Sequence, residues 1–120
     1  MPKISNTQID FEARGVVYLS TVEEGKIFLG DLGFEFQYKN PRMGKNMFFP
    51  WEKIQQVETH VSLKGKVGRQ FGLTIDNWAK TSFSSKESVT ILKKIGQHIG
   101  SENVVRSKNL LQTFIRGIQK

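Results

Sequence analysis

The chain has 120 residues, 38% of them hydrophobic, which is enough for one domain with a single modest core. It has no cysteine, which excludes a disulfide framework, a zinc site built on thiolates and a thiol nucleophile, and fits a reducing cytoplasm. The first residues lack the apolar core of a signal peptide, and no run approaches the roughly 18 to 20 apolar residues that span a bilayer. We therefore expect a soluble or at most peripheral protein.

The net charge of +7 is concentrated in the second half of the chain. Residues 1–58 contain seven Lys or Arg and eight Asp or Glu, a net charge of −1, whereas residues 59–120 contain eleven and three, a net charge of +8. A basic second half favours an anionic partner, and the candidates are anionic lipid, nucleic acid and an acidic protein face. The alternative is a solvated surface that keeps a small protein in solution.

Alternation of apolar and polar residues predicts strands over most of the chain up to residue 84. Three strands come first and form a meander, because short turns connect them. Phe34, Phe36 and Tyr38 share one face of the third strand. Their predicted ranges are 14–22, 26–31 and 34–38, with turns at 23–25 and 31–33.

Four more strands are predicted before the pattern changes. Their ranges are 47–49, 54–63, 71–75 and 80–84, with a turn at Asn77–Trp78 before the last. The second of these needs a bulge near Gln55–Gln56, because Ile54 is otherwise out of phase with Val57. Pro50 ends the short strand before it, and Trp51 is expected to pack at a corner of the sheet.

Helical spacing replaces strand spacing at Ser84, which forms a capping-box pattern with Glu87. The first predicted helix places apolar residues at Val89, Leu92, Ile95 and Ile99 and stops at Gly100. A second amphipathic helix is predicted after Ser107, and its apolar face consists of Leu111, Phe114, Ile115 and Ile118.

Seven strands and a closing helix predict a mainly β protein with carboxyl-terminal helices, in which a small sandwich or barrel is capped by a helix. This architecture resembles the pleckstrin-homology-like and GRAM-like folds, although a fold alone does not fix a function. Residues 1–100 are the predicted β domain with its capping helix, and residues 101–120 are predicted as an amphipathic helix packed on it or extending from it. Phosphoinositide binding is disfavoured, because Glu23 and Glu24 occupy the predicted turn where such domains usually carry cations.

Catalytic residue types are scarce, so we expect no enzyme activity, no cofactor and no metal. His60 has the parity of the polar residues of its strand, and His98 lies in the last turn of the first predicted helix, where a cation suits the helix dipole. Phosphorylation of a histidine is a disfavoured alternative. Gly65 and Lys66 are followed by Val67 and lack the hydroxyl with which a P-loop meets magnesium, so a nucleotide site is not expected.

Two surfaces are predicted to bind a partner. The first is the basic, glycine-rich loop 64–69, whose cations and backbone amides could surround phosphate or carboxylate groups; the alternative is an ordinary solvated hairpin. The second is the terminal helix, which could lie on lipid or in a groove of a partner, unless it buries its apolar face in its own domain. The predicted partner-binding residues are Lys64, Lys66, Arg69, Arg106, Lys108, Leu111, Phe114 and Arg116.

Six short motifs in a fixed order carry a family resemblance. They are Gly25-Lys26-Ile27 through Gly33-Phe34-Glu35-Phe36, Pro50-Trp51-Glu52, Leu63-Lys64-Gly65-Lys66, Ser82-Phe83-Ser84, Val105-Arg106-Ser107 and Arg116-Gly117. In order and spacing they resemble the ManO family, small bacterial proteins encoded beside mannose-class sugar phosphotransferase permeases. The resemblance implies an accessory or regulator of the mannose phosphotransferase system that is cytoplasmic, peripheral at the inner face of the plasma membrane, and bound to the membrane-embedded permease. The alternatives are a general anionic-membrane binder of the same fold and, less favoured, a nucleic-acid-binding protein.

Overall fold

The computed structural model describes residues 6–62, 64–76 and 79–106, and within these ranges the protein is mainly β. Eight strands and one α-helix are present in this part of the chain, together with 3-10 turns at residues 41–43, 51–53 and 101–103. In chain order they are β1 (Ile9–Tyr18), β2 (Val22–Gly30), β3 (Gly33–Tyr38), β4 (Met47–Pro50), β5 (Ile54–Val61), β6 (Val67–Ile75), β7 (Ala79–Ser84), α1 (Ser88–Ile99) and β8 (Val104–Arg106).

The eight strands form one mixed sheet in the order β4-β3-β2-β1-β7-β6-β5-β8. Every neighbouring pair from β4 to β5 is antiparallel, whereas β8 runs parallel to β5 and pairs Val104 with Val57. β1 pairs with β2 along almost its whole length but with β7 only through residues 16–18. The sheet is therefore free to bend at β1, and its two halves face each other.

Contacts between aromatic rings show this bend directly. Phe34 in β3 and Phe83 in β7 are three strands apart in the sheet, which in a flat sheet is roughly 14 Å at about 4.8 Å per strand. Their ring centroids are only 4.9 Å apart. Phe36 and Phe71 also contact Phe83, at 5.7 and 6.0 Å, and all four side chains are fully buried. The core therefore fills the space between the two halves, as the alternation of apolar residues predicts.

Helix α1 and Trp51 close this core. Ile91, Leu92 and Ile95 are the buried apolar residues of the helix. Trp51 lies at the corner between β4 and β5, as expected, where its Nε1 donates to the backbone oxygen of Gly30 at 2.9 Å. The indole ring stacks on His98 of α1, with the ring centroids 4.2 Å apart. Trp51 therefore connects the helix to the sheet.

The turn between β1 and β2 was predicted wrongly. It comprises residues 19–21, whereas residues 23–25 belong to β2. Gly25 suggested a turn, but it pairs with Tyr38 of β3, and a Cβ at this position would lie 2.2 Å from the backbone oxygen of Gln37. Glycine is required there for close strand approach. Glu23 and Glu24 are consequently strand residues. They do not occupy the turn after the first strand, so they do not count against phosphoinositide binding.

The start of the helix also differs from the prediction. Ser84 ends β7, and it is Ser85 whose Oγ accepts a hydrogen bond from the backbone N–H of Glu87 at 3.1 Å, while donating to the backbone oxygen of Arg14 at 2.6 Å. The helix begins at Ser88, and Val89, expected on the apolar face, is 47% exposed. The predicted stop at Gly100 is confirmed by its φ of +99°, which glycine adopts readily.

Two further outcomes concern strands. The predicted bulge in β5 is confirmed by a register shift between Ile54 and Gln56. Residues 101–106, placed by the sequence in a helical terminal segment, instead form a 3-10 turn and the strand β8. The predicted turn at Asn77–Trp78 and the predicted helix after Ser107 lie outside the described residues.

Candidate anion-binding surface

The hairpin between β5 and β6 presents Lys64 and Lys66 at its turn. Gly65 between them has a φ of +84°, and a Cβ there would meet nothing within 4 Å, so the backbone conformation and not a lack of space favours glycine. Gly65 N donates to Ser62 O at 2.8 Å, and Lys66 N donates to Ser62 Oγ at 3.1 Å. Because both of these amides donate within the turn, neither is available to an anion, and the turn offers an anion the side chains of Lys64 and Lys66.

Arg69 and Arg106 lie on either side of β5, at the end that leads to this hairpin. Arg69 was predicted in the loop but belongs to β6, which begins at Val67. Arg106 ends β8 opposite Thr59, and Thr59 pairs on its other side with Phe71, two residues after Arg69. Two strand spacings separate β6 from β8, a backbone distance of about 10 Å. We call the four cations Lys64, Lys66, Arg69 and Arg106 the basic end.

Lack of ion pairing separates the basic end from four lysines elsewhere in the described ranges. Four lysines of the described ranges form ion pairs: Lys26 with Glu12 at 3.6 Å, Lys39 with Glu24 at 4.0 Å, Lys53 with Asp76 at 3.4 Å and Lys80 with Glu58 at 2.7 Å. No residue of the described ranges forms an ion pair with any cation of the basic end, and all four are exposed. Their charge is therefore not neutralised by a described neighbour, and it can attract an anion through the solvent over a screening length of about 8 Å at physiological salt.

An open groove of about 1220 Å³ adjoins the basic end and shares Arg69 with it. Its walls come from β1, β2, β3 and the segment between β7 and α1, and they include Arg14, Lys86, Phe11 and Tyr38. The groove could not be predicted from the sequence, because its cations come from segments that lie far apart in the chain. The only sequence signal for it was the general excess of positive charge.

Both histidines and Asp31 take part in the packing or the hydrogen bonding of the fold. His60 is partly buried in β5, and His98 contacts Trp51. The pKa of Asp31 is lowered from its ordinary value of 3.8, mainly because the hydroxyl of Thr7 donates to its carboxylate, with further hydrogen bonds from backbone N–H groups including that of Gln8. Asp31 thereby ties the segment before β1 to the turn between β2 and β3. Within the described ranges, no group of three or more His, Cys, Asp or Glu side chains is placed to hold a metal ion.

The remaining predicted partner-binding residues, Lys108, Leu111, Phe114 and Arg116, lie outside the described residues. The terminal helix that would carry them stays a prediction. Among the described residues, no helix combines the length and apolar character needed to cross a membrane.

Comparison with known proteins identifies a family without assigning an activity. A family model described as "Domain of unknown function (DUF956)" matches residues 1–118, almost the whole chain. The chain belongs to the DUF956 family. A search of curated proteins finds no match for this DUF956 member.

The fold of this DUF956 protein is similar to a solved structure described as "Crystal structure of the C-terminal domain of an unknown protein from Leishmania infantum". The TM-score is 0.65, and the likeness covers 77% of this chain and 84% of that one. The two sequences are 8% identical. At this identity the likeness shows a shared fold and carries no statement about function.

Proposed function

We propose that this protein is a non-enzymatic binding module that docks on an anionic surface through its basic end. The observation that carries the proposal is the exposure, at one end of the sheet, of four cations that form no ion pair with any described residue. A Lys or Arg close to an anionic membrane surface contributes about 1 kcal/mol. Four of them supply up to about 4 kcal/mol, nearly a thousandfold in a binding constant.

For the partner we propose the membrane-embedded permease of the mannose-class phosphotransferase system, bound at its cytoplasmic face. This choice rests on the resemblance to the ManO family. Its motifs Leu63-Lys64-Gly65-Lys66 and Val105-Arg106-Ser107 include three of the four cations of the basic end. A protein docked there is peripheral to the inner leaflet, whose anionic lipids add attraction for the same cations. The role in sugar transport is that of an accessory or regulator.

We also propose that the fold is of the pleckstrin-homology-like class. The support is the run of seven antiparallel strands, bent at β1 into two facing halves and followed directly by α1. In this arrangement the hairpins at the ends of the sheet are free to bind while the core stays packed, which suits a docking module.

Membrane recovery of mutated proteins tests the docking surface. Lys64→Ala with Lys66→Ala removes two cations at the hairpin turn, and we expect a loss of about 2 kcal/mol, or roughly thirtyfold in the binding constant. Lys53→Ala with Lys80→Ala is the matched control, because it removes the same net charge from lysines that are paired with Asp76 and Glu58. Equal losses in the two double variants would show that net charge alone, and not the basic end, governs binding.

A second candidate is a general anionic-membrane binder, which the same cluster of exposed cations favours. Host cells that lack the permease distinguish the two functions. Recovery with membranes that requires the permease supports the specific partner, whereas equal recovery from both kinds of cell indicates lipid. Recovery from neither would direct attention to nucleic acid, the least favoured partner of a basic surface.

A further inference from the structure

We propose that the groove beside the basic end is a second site, which binds a phosphate monoester group through Arg14, Arg69 and Lys86. This site goes beyond docking on the permease. It shares only Arg69 with the basic end, so the two activities can be lost separately.

Ser85 holds the main chains that carry the three cations side by side. It is 5% exposed, and its backbone N–H donates to the backbone oxygen of Arg69 at 3.0 Å. Its Oγ donates to the backbone oxygen of Arg14 at 2.6 Å, and Lys86 is the next residue in the chain. One buried serine thus connects β1, β6 and the segment before α1. Because these backbones are already ordered, less conformational entropy is lost when a ligand binds.

The charges of the groove match a phosphate monoester. Among its acidic residues, Glu12 pairs with Lys26 and Glu24 pairs with Lys39. Glu87 is the remaining carboxylate in the lining, against three cations that form no ion pair with any described residue. The local excess is therefore two positive charges, and a phosphate monoester carries about −1.5 to −2 at pH 7. The planar guanidinium groups of two arginines suit bidentate contacts with phosphate oxygens.

The size and apolar lining of the groove indicate that the phosphate is attached to an organic group. A volume of about 1220 Å³ greatly exceeds what an inorganic ion fills, and apolar side chains such as Phe11, Val16 and Val22 contribute to the lining. Pockets for small organic ligands usually combine apolar walls with a few polar groups that fix the orientation. Phosphate monoesters occur as free small molecules and as the headgroup of phosphatidic acid, and the two sources can be separated experimentally.

Titration of the full chain with phenyl phosphate, followed by amide chemical shifts, tests the site. We expect saturable shifts at Ser85, Lys86 and Glu87, and no such shifts with phenol, which lacks the phosphate. Arg14→Ala with Lys86→Ala should weaken binding at least about tenfold, because two charge-assisted contacts are lost. Lys53→Ala with Lys80→Ala is the matched control, since it removes two ion-paired lysines that do not line the groove, and it should change the affinity less than about threefold.

Vesicles that contain phosphatidic acid form the lipid arm, compared with vesicles of a singly charged phosphodiester lipid at equal surface charge. A preference for phosphatidic acid that Arg14→Ala with Lys86→Ala abolishes supports the site and assigns it to a headgroup, even if phenyl phosphate does not bind. Absence of both kinds of binding would overturn the proposal, as would equal affinities of the groove variant and its control. Lys64→Ala with Lys66→Ala should leave phenyl phosphate binding unchanged, so failure here is distinct from failure of the docking proposal.

Discussion

Replacement of Trp51 by Phe tests how the helix is held on the sheet. The change removes the indole N–H that donates to the backbone oxygen of Gly30 at 2.9 Å, in a place where both residues are buried. It also shortens the ring that stacks on His98, where the two planes are only 4° from parallel. Water cannot easily replace the lost donor, so the carbonyl of Gly30 is left without this partner.

A buried acceptor that loses its hydrogen bond costs about 1–3 kcal/mol. Phe retains most of the apolar contact, so we expect Trp51→Phe to lower the free energy of unfolding by about 2 kcal/mol. With an unfolding entropy of about 2.1 cal/mol/K per residue, this corresponds to a decrease in Tm of about 8 °C for a chain of this length. His98→Ala should cost less, about 0.5–1 kcal/mol, because His98 is exposed and only the stack is lost.

Urea unfolding followed by far-ultraviolet circular dichroism measures both variants against the parent protein. Val89→Ala is a suitable control, because Val89 lies on α1 but is 47% exposed, and surface changes usually stay within about 0.5 kcal/mol. A loss below about 0.5 kcal/mol for Trp51→Phe would refute the view that the indole N–H stabilises the joint between helix and sheet.

Two further predictions concern the core and the segment before β1. Phe83→Ala should destabilise the protein by about 3–5 kcal/mol in urea unfolding, because it leaves a cavity where Phe34 approaches to 4.9 Å, and a cost near 1 kcal/mol would contradict its central position. Asp31→Asn should reduce stability at neutral pH. Because the pKa of Asp31 is lowered by folding, its contribution to stability is fully present above pH 3.8 and is lost as the pH falls through the folded-state pKa. The difference in unfolding free energy between parent and variant should therefore close in acid. A difference that does not change with pH would disprove this role.

Much of the strand framework could be predicted from local alternation. Phe34 and Phe36 repeat at the two-residue spacing of a strand, and both are buried as expected. The bulge at Ile54 was predictable for the same reason, because it restores the phase of the apolar residues. These features depend on the face that a residue occupies, which two-residue periodicity encodes directly.

Features that depend on contacts distant in sequence could not be predicted. Gly25 has the sequence context of a turn residue, but glycine is needed there because the backbone of β3 lies too close for a Cβ. Glu35 has the parity of a solvent-facing residue, but it is only 8% exposed and accepts a hydrogen bond from Gln37. The parallel strand β8 is three residues long, too short for a periodic signal, and exists because β5 offers an unpaired edge. The groove depends on the same kind of long-range contact, since Ser85 brings distant segments together.

Binding to the purified mannose permease in neutral-lipid nanodiscs tests most directly whether the basic end recognises a protein partner. Neutral lipid removes the attraction of the bilayer for cations, and empty nanodiscs measure what remains. We predict saturable binding to the loaded discs that weakens with salt and falls by up to about thirtyfold in the Lys64→Ala, Lys66→Ala variant, at up to about 1 kcal/mol for each exposed ion pair lost, but not in the Lys53→Ala, Lys80→Ala control. Equal binding to loaded and empty discs, or none to either, would contradict docking on the permease.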